Sequence, residues 1–318
     1  MNPERKWSAC TLALLLLLPA CGEEEGGGGA RLDYTDPFAF RDDSRLLLTI
    51  AVDEPADLAV GEGDRILCVG GRGARLFDRE GGEIRSWLCP FEPRAVTPGV
   101  GGTFWIAGAD RVGRWSAAGE ELAQWALSPA PAGRKPLVTG LARVGASLFF
   151  ADAAGRCVHR YAVDGDFINL VGEDAGPKGL MIPSPCFSVC AAADGTLWLT
   201  HTGKHKVCRY SLDGALLGQW GRRGMGPGAF GGCCNPVGLA LYPDGRVVTA
   251  EKGLGRISLY TQEGELLALV GSRLVDRSAR GLKVAVDGGG RILVLDPAAE
   301  KILVFAPGGG EEGGHGRQ

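Results

Sequence analysis

The sequence has no long apolar run beyond its first twenty residues, no excess of positive charge, and few of the residue types that build hydrolytic centres. Histidine occurs 4 times in 318 residues, and apart from Asn2 the asparagines are Asn169 and Asn235. There is no G-x-S-x-G elbow and no H-E-x-x-H. No glycine-rich loop leads a strand into a helix to cradle phosphate. The absence of C-x-x-C weakens a thioredoxin-like role, and the absence of C-x-x-C-H removes the usual haem attachment site. A formal net charge of -3 gives no basic footprint for nucleic acid. Beyond the N-terminus, no segment approaches the ~20 apolar residues that a spanning helix needs.

What is present begins with a targeting segment. Arg5 and Lys6 precede an unbroken apolar run from Thr11 to Leu18, too short to span a bilayer stably. The run ends in Leu18-Pro19-Ala20-Cys21, which resembles a bacterial lipobox. That resemblance implies a signal over residues 1–20, cleavage before Cys21 and a diacylglyceryl group on its thiol. The alternative is an ordinary secretory signal with a chance cysteine. Gly22 rather than Asp after the cysteine implies the outer membrane, with the protein on its periplasmic face. Residues 21–44 read as anchor and tether, because Glu23 to Gly29 (EEEGGGG) offers nothing to pack. Eight cysteines besides Cys21 would remain, and in an oxidising compartment disulfides are their default reading.

Gly contributes 52 residues beside 45% apolar content, which points to many tight turns. An aromatic followed four positions later by Gly recurs as Phe77…Gly81, Trp115…Gly119, Tyr161…Gly165, Tyr210…Gly214, Tyr260…Gly264 and Phe305…Gly309. Each copy follows a short branched or aromatic run, such as Thr196-Leu-Trp-Leu-Thr or Arg246-Val-Val-Thr-Ala, which reads as a buried strand. Gly-bearing turns such as Asp194-Gly195 and Asp244-Gly245 precede several of these runs and suit two-residue hairpins. Each unit is therefore four antiparallel strands. Such sheets bury both apolar faces only by stacking around an axis, which predicts an all-β, six-bladed β-propeller over residues 45–306. The last unit lacks a fourth strand, and an orphan run, Arg45-Leu-Leu-Leu-Thr-Ile-Ala, lies ahead of the first. The N-terminal run is expected to pair with the last blade and close the ring, removing an open edge. Residues 307–318 read as a disordered tail.

His201-Thr-Gly-Lys-His205-Lys-Val-Cys-Arg-Tyr210 resembles the middle of an NHL repeat, and Trp220-Gly-Arg-Arg-Gly-Met-Gly-Pro-Gly-Ala-Phe230 resembles that family's inter-blade linker. The resemblance covers residues 45–306 and is sharpest in the fourth and fifth blades. In the first two blades the loop before the aromatic is two residues shorter. The resemblance implies binding of proteins, peptides, sugars or RNA, although related six-bladed propellers include lactonase-type hydrolases and lyases. Fold alone does not choose among these. It also implies a structural role for His205.

Two candidate sites follow. Cys233 and Cys234 form an insertion in the linker before the fifth blade's inner strand. Aligning Val189 with Leu239 sets Cys186 opposite Pro236 and Cys190 opposite Ala240. Four thiols are thus expected near the channel mouth, as structural disulfides, a thiolate-bound metal site, or a redox-active or vicinal disulfide. Cys68, Cys89, Cys157 and Cys208 read as buried small hydrophobes. The second set is Asp152, His201, Glu251 and Asp296, one equivalent position at the end of the second strand in four blades. They read either as a polar ring binding a cation or substrate, or as caps on the following turns. Glu251-Lys252 departs from the usual Asp at this position, which makes Glu251, Lys252 and the nearby Asn235 the foremost catalytic candidates. His159 is a lone histidine in a strand, and His315 lies in the tail. The expected function is a lipid-anchored interaction module for an envelope protein, peptide or glycan, with no certain cofactor and no nucleic acid. The alternative is an envelope enzyme, either a metal-dependent, lactonase-like hydrolase or a thiol or metal redox protein.

Overall fold

A computed structural model describes residues 44–127, 135–271 and 273–307. The signal segment, Cys21, the tether up to residue 43 and the tail from residue 308 with His315 lie outside the described residues. Six four-stranded antiparallel sheets are present. Blade 1 comprises β2 (Pro55–Val60), β3 (Ile66–Gly70), β4 (Gly73–Phe77) and β5 (Glu83–Leu88). Blade 2 comprises β6 (Ala95–Pro98), β7 (Phe104–Ala107), β8 (Arg111–Trp115) and β9 (Glu121–Ala126). Blade 3 comprises β10 (Val138–Val144), β11 (Ser147–Asp152), β12 (Cys157–Ala162) and β13 (Phe167–Val171). Blade 4 comprises β14 (Val189–Ala191), β15 (Leu197–His201), β16 (Lys206–Tyr210) and β17 (Leu216–Trp220). Blade 5 comprises β18 (Gly238–Leu241), β19 (Val247–Glu251), β20 (Arg256–Tyr260) and β21 (Leu266–Val270). Blade 6 takes β22 (Lys283–Val286), β23 (Ile292–Asp296) and β24 (Lys301–Phe305) from the C-terminal end, and its outer strand is β1 (Leu46–Ala51).

Ring closure is therefore as the sequence predicts. β1 runs antiparallel to β24, with Leu48 opposite Val304 and Ile50 opposite Ile302. Val52 N–H donates to the Glu300 carbonyl at 3.0 Å, and Ala306 N–H donates to the Arg45 carbonyl at 2.8 Å. Ile50 and Val52 are buried with Leu58, Ile66 and Phe77 of blade 1, so β1 both pairs with the last sheet and packs on the first.

Apolar burial sits between blades, with one cluster for each neighbouring pair. The repeated glycine has a packing reason as well as a conformational one. Gly264 takes φ +93°, and a Cβ there would lie 2.4 Å from Trp220 on the outer strand of blade 4. Gly119 and Gly165 abut Trp87 and Trp125 in the same way, each from the preceding blade. At the closure, Gly81 meets Leu48 of β1, so the N-terminal strand supplies the contact that an outer-strand tryptophan supplies elsewhere.

The inner strands surround a central cavity of about 350 Å³. Near one end, Lys283 of blade 6 donates from Nζ to the Thr139 carbonyl of blade 3, on the opposite wall. Asp57 is buried there and accepts the N–H groups of Leu58 at 3.0 Å and Val96 at 3.1 Å. Burial raises its carboxyl above the usual range, against the opposing charge of Lys283 and the two backbone donors.

Candidate functional site

The alternation of strand direction divides the loops between two faces. Linkers from one blade to the next and the turns after second strands share one face, called here the linker face. Hairpins after inner strands and turns after third strands form the opposite, hairpin face.

Asp152, His201, Glu251 and Asp296 end β11, β15, β19 and β23 and are buried. Each accepts a backbone N–H from the linker that leads into its own blade. The donors are Leu137 at 2.8 Å, Met181 at 2.8 Å, Gly231 at 2.8 Å and Asp276 at 2.7 Å. Asp152 also accepts the N–H of Ala154 at 3.0 Å, and Asp296 those of Ala298 and Ala299 at 3.1 Å. Two of the four thus cap the following turn, while all four fix a linker. Blades 1 and 2 have Gly70 and Gly108 at this position. A Cβ at Gly70 would lie 2.1 Å from the Glu54 carbonyl, so the linker packs directly on backbone where no polar side chain intervenes.

Burial, with the nearby Lys204 charge, pushes the His201 imidazole down to about 4. This suits Nε2 as an unprotonated acceptor. His205 is buried as well, in a left-handed conformation with φ 55°. Its imidazole is also lowered, by burial and by Arg223.

Glu251 has a partner that the sequence pattern did not reveal. Arg256 donates from Nε to Oε1 at 2.6 Å and from Nη2 to Oε2 at 2.9 Å, and both side chains are buried. Arg256 also reaches the carbonyls of Met225 at 2.8 Å and Ala229 at 2.5 Å. Burial raises the Glu251 carboxyl, and Arg256 and the Gly231 amide oppose that rise. The pair with its carbonyls forms a closed knot that shapes the blade 4–5 linker. Asn235 is held as firmly. Its Nδ2 donates to the carbonyls of Gly231 at 2.8 Å and Lys252 at 3.0 Å, and its Oδ1 accepts the Lys252 N–H at 3.0 Å.

All eight described cysteines are free thiols, with no disulfide among the described residues. Of Cys186, Cys190, Cys233 and Cys234, no three sulfurs lie within 4.8 Å of one another. Cys190 lines the central cavity. Cys186 packs against the blade 5–6 cluster. Cys68, Cys89 and Cys208 lie in inter-blade clusters. They and the buried Cys157 are pushed up to about 12, foremost by burial.

Among the described residues, the one set of three metal-ligating side-chain atoms within 4.8 Å of one another is Asp152, Cys157 and His159. All three are buried, and Asp152 Oδ2 lies 3.1 Å from His159 Nε2.

Cys233 and Cys234 have their sulfurs 3.0 Å apart. Cys233 is exposed and Cys234 buried. Ser184, from the preceding blade's linker, donates from Oγ to Cys234 Sγ at 3.5 Å. Lys252 donates from Nζ to Ser184 Oγ at 2.6 Å. Burial pushes the Cys234 thiol up. Hydrogen bonds from Cys233, Ser184 and Lys252, with the ammonium charge, outweigh it and hold the group below the ordinary thiol range. Cys233 is raised, first by its hydrogen bond to Cys234. Ser184 was missed in the sequence, although the register that pairs Val189 with Leu239 sets it opposite Cys234.

No protein-family model and no curated protein matches this sequence. Solved structures share its fold. A catalytically inactive variant of virginiamycin B lyase from Staphylococcus aureus, with quinupristin, aligns at TM-score 0.54 and 15% identity, over 79% of this chain and 80% of that one. A structural-genomics protein of unknown function from Bacteroides thetaiotaomicron aligns at 0.61 and 13%, over 84% and 72%. A chain of the mitotic checkpoint complex aligns at 0.57 and 11%, over 92% and 99%. These similarities establish the β-propeller fold.

Proposed function

We propose that this propeller is a lipid-anchored interaction module whose linker face docks an acidic protein or peptide, or an acidic glycan, at the cell envelope. The observation that carries the reading is a division of charge between the two faces. Over blades 4–6 the linker face exposes Lys178, Lys204, Arg222, Arg223, Arg273, Arg277 and Arg280, against Glu173, Asp174, Asp276 and Glu300. In blades 4 and 5 the hairpin-face turns expose Asp194, Asp213, Asp244 and Glu263, whereas in blade 1 that face mixes Glu62 and Glu80 with Arg65 and Arg79. Among the basic residues, Met181, Met225 and Leu274 are exposed, one from each of three successive linkers. A net charge near zero thus conceals a basic, apolar-studded surface suited to steering and holding an acidic partner.

The resemblance to NHL repeats supports binding as the role, and the lipobox-like Leu18-Pro19-Ala20-Cys21 supports attachment through Cys21 to the periplasmic face of the outer membrane. The alternative, an enzyme acting through Asn235, Glu251 and Lys252, has weaker support. Asn235 and Glu251 are committed to holding backbone and Arg256. Disulfides joining the four cysteines of blades 4 and 5 lack a pair at bonding distance.

The test uses the full chain with poly-L-glutamate and polygalacturonate as probes, at low and at raised salt. Binding to either, weakened at least tenfold by Arg222→Glu with Arg223→Glu and unaffected by Arg79→Glu on the hairpin face, is expected. Equal loss from both faces, or none, would overturn the reading. Mass analysis of the chain made in a two-membrane bacterium tests the lipid on Cys21, with Cys21→Ala as the control.

A further inference from the structure

The loop from Gly231 to Pro236 holds a group of side chains that the docking surface does not require. Three donors converge, directly or in relay, on the sulfur of Cys234. Lys252 Nζ donates to Ser184 Oγ at 2.6 Å, and Ser184 donates onward to Cys234 Sγ at 3.5 Å. From the other side, the Cys233 sulfur is at 3.0 Å. A hydroxyl relay ending in an ammonium group favours negative charge on the sulfur at its end. The residues come from three separate segments, the blade 3–4 linker, the blade 4–5 linker and the turn after β19. Asn235 locks two of those segments together through Lys252. The arrangement is therefore built by the ring rather than by the Cys-Cys sequence alone.

We infer that Cys233 and Cys234 form an exchange-active dithiol that reduces low-molecular-weight disulfides, with exposed Cys233 as the attacking sulfur and Cys234 as the resolving one. In the first step the Cys233 sulfur attacks one sulfur of the incoming disulfide. Its proton passes to Cys234 along the existing hydrogen bond. The external S–S bond breaks, and one small thiolate leaves and takes up a proton from water. In the second step Cys234 releases its proton to solvent and attacks Cys233 Sγ. The mixed disulfide breaks, the second small thiolate leaves and is protonated, and a bond joins the two neighbours. The dithiol loses two hydrogens and two electrons, and the external disulfide gains them as two thiols. Ring closure brings the sulfurs to the bonded separation of about 2 Å within a ring strained by the short spacing of neighbouring Cα atoms. Lys252 and Ser184 act as positioning residues, because they hold the charge of Cys234 without touching the small disulfide. This activity is separate from docking, since it needs none of the exposed arginines.

The experiment treats the reduced full chain with oxidised glutathione and follows the peptide bearing residues 233 and 234 by mass. Loss of two hydrogens from that peptide, with release of two glutathiones per chain, is expected. Cys234→Ser should stop at a glutathione adduct on Cys233. Cys233→Ser should leave Cys234 unmodified, since that sulfur is buried. Lys252→Met should slow ring closure about tenfold and move its pH profile upward, a change that a structural role alone would not produce. Ser184→Ala gives a second, milder variant with the same expected direction. A glutathione adduct that persists on the unaltered chain, or equal reaction of Cys233→Ser, would overturn the assignment. So would no reaction at either residue in protein whose melting is normal.

Discussion

Met181 donates its backbone N–H to Nε2 of His201 at 2.8 Å, so a linker between blades is held by the unprotonated nitrogen of a buried imidazole. The bond is incompatible with a proton on Nε2, and this gives the fold a pH dependence with a definite sign. An unfolded histidine takes up its proton near 6.5, whereas folded His201 does so at about 4. Between those values the unfolded chain binds the extra proton. Stability from this group is complete above 6.5, falls as pH drops through the window, and changes little below it. The loss is on the order of 3 kcal/mol. Denaturant unfolding at pH 7 and pH 5 should show it, and His201→Gln, whose amide oxygen can accept the same N–H, should flatten the slope.

Removing β1 should be severe. A chain beginning at residue 53 exposes the edge of β24 and the clusters that bury Ile50 and Val52. A melting temperature lower by about 10 °C or more is expected. An unchanged melting curve would contradict closure by this strand.

Gly264→Ala should destabilise by about 2–3 kcal/mol, through positive φ and a Cβ driven against Trp220. Gly195→Ala also has positive φ, but nothing lies within 4 Å of its Cβ. It should cost less, and the difference between the two measures the inter-blade contact.

Glu251→Gln should act on stability first. It leaves Arg256 buried without its charge partner, at a cost of roughly 3–5 kcal/mol. Glu251→Gln with Arg256→Met should recover part of that loss. If a lactone panel shows turnover that vanishes in Glu251→Gln while melting is unaltered, the carboxylate is catalytic and the account of it as a clamp fails.

Much of this architecture was legible because it is local and repeated. The aromatic and the Gly four residues on, as in Tyr260 and Gly264, mark a turn whose geometry recurs in blades 1 to 5. The missing fourth strand and the orphan run at residue 45 then gave closure. The site was less legible. Asp152, His201, Glu251 and Asp296 were recognisable as one position, but not that their acceptors reach back to a linker, because that contact depends on how the linker folds over the blade end. Arg256 lies on the third strand of its blade, and its carbonyl partners lie on the linker. Cys190, on β14, lines the central cavity, while Cys186, ahead of that strand, packs toward the blade 5–6 cluster. The charge division was present in the sequence throughout. Sorting loops by alternate strand ends would have exposed it, whereas net charge concealed it.

The claim on which the functional account rests is that partners meet the linker face. Hydrogen exchange of the full chain, with and without bound poly-L-glutamate, tests it most directly. Protection at residues 222–225 and 273–280 is the predicted result. Protection confined to the hairpins at residues 163–166 and 243–246 would contradict it.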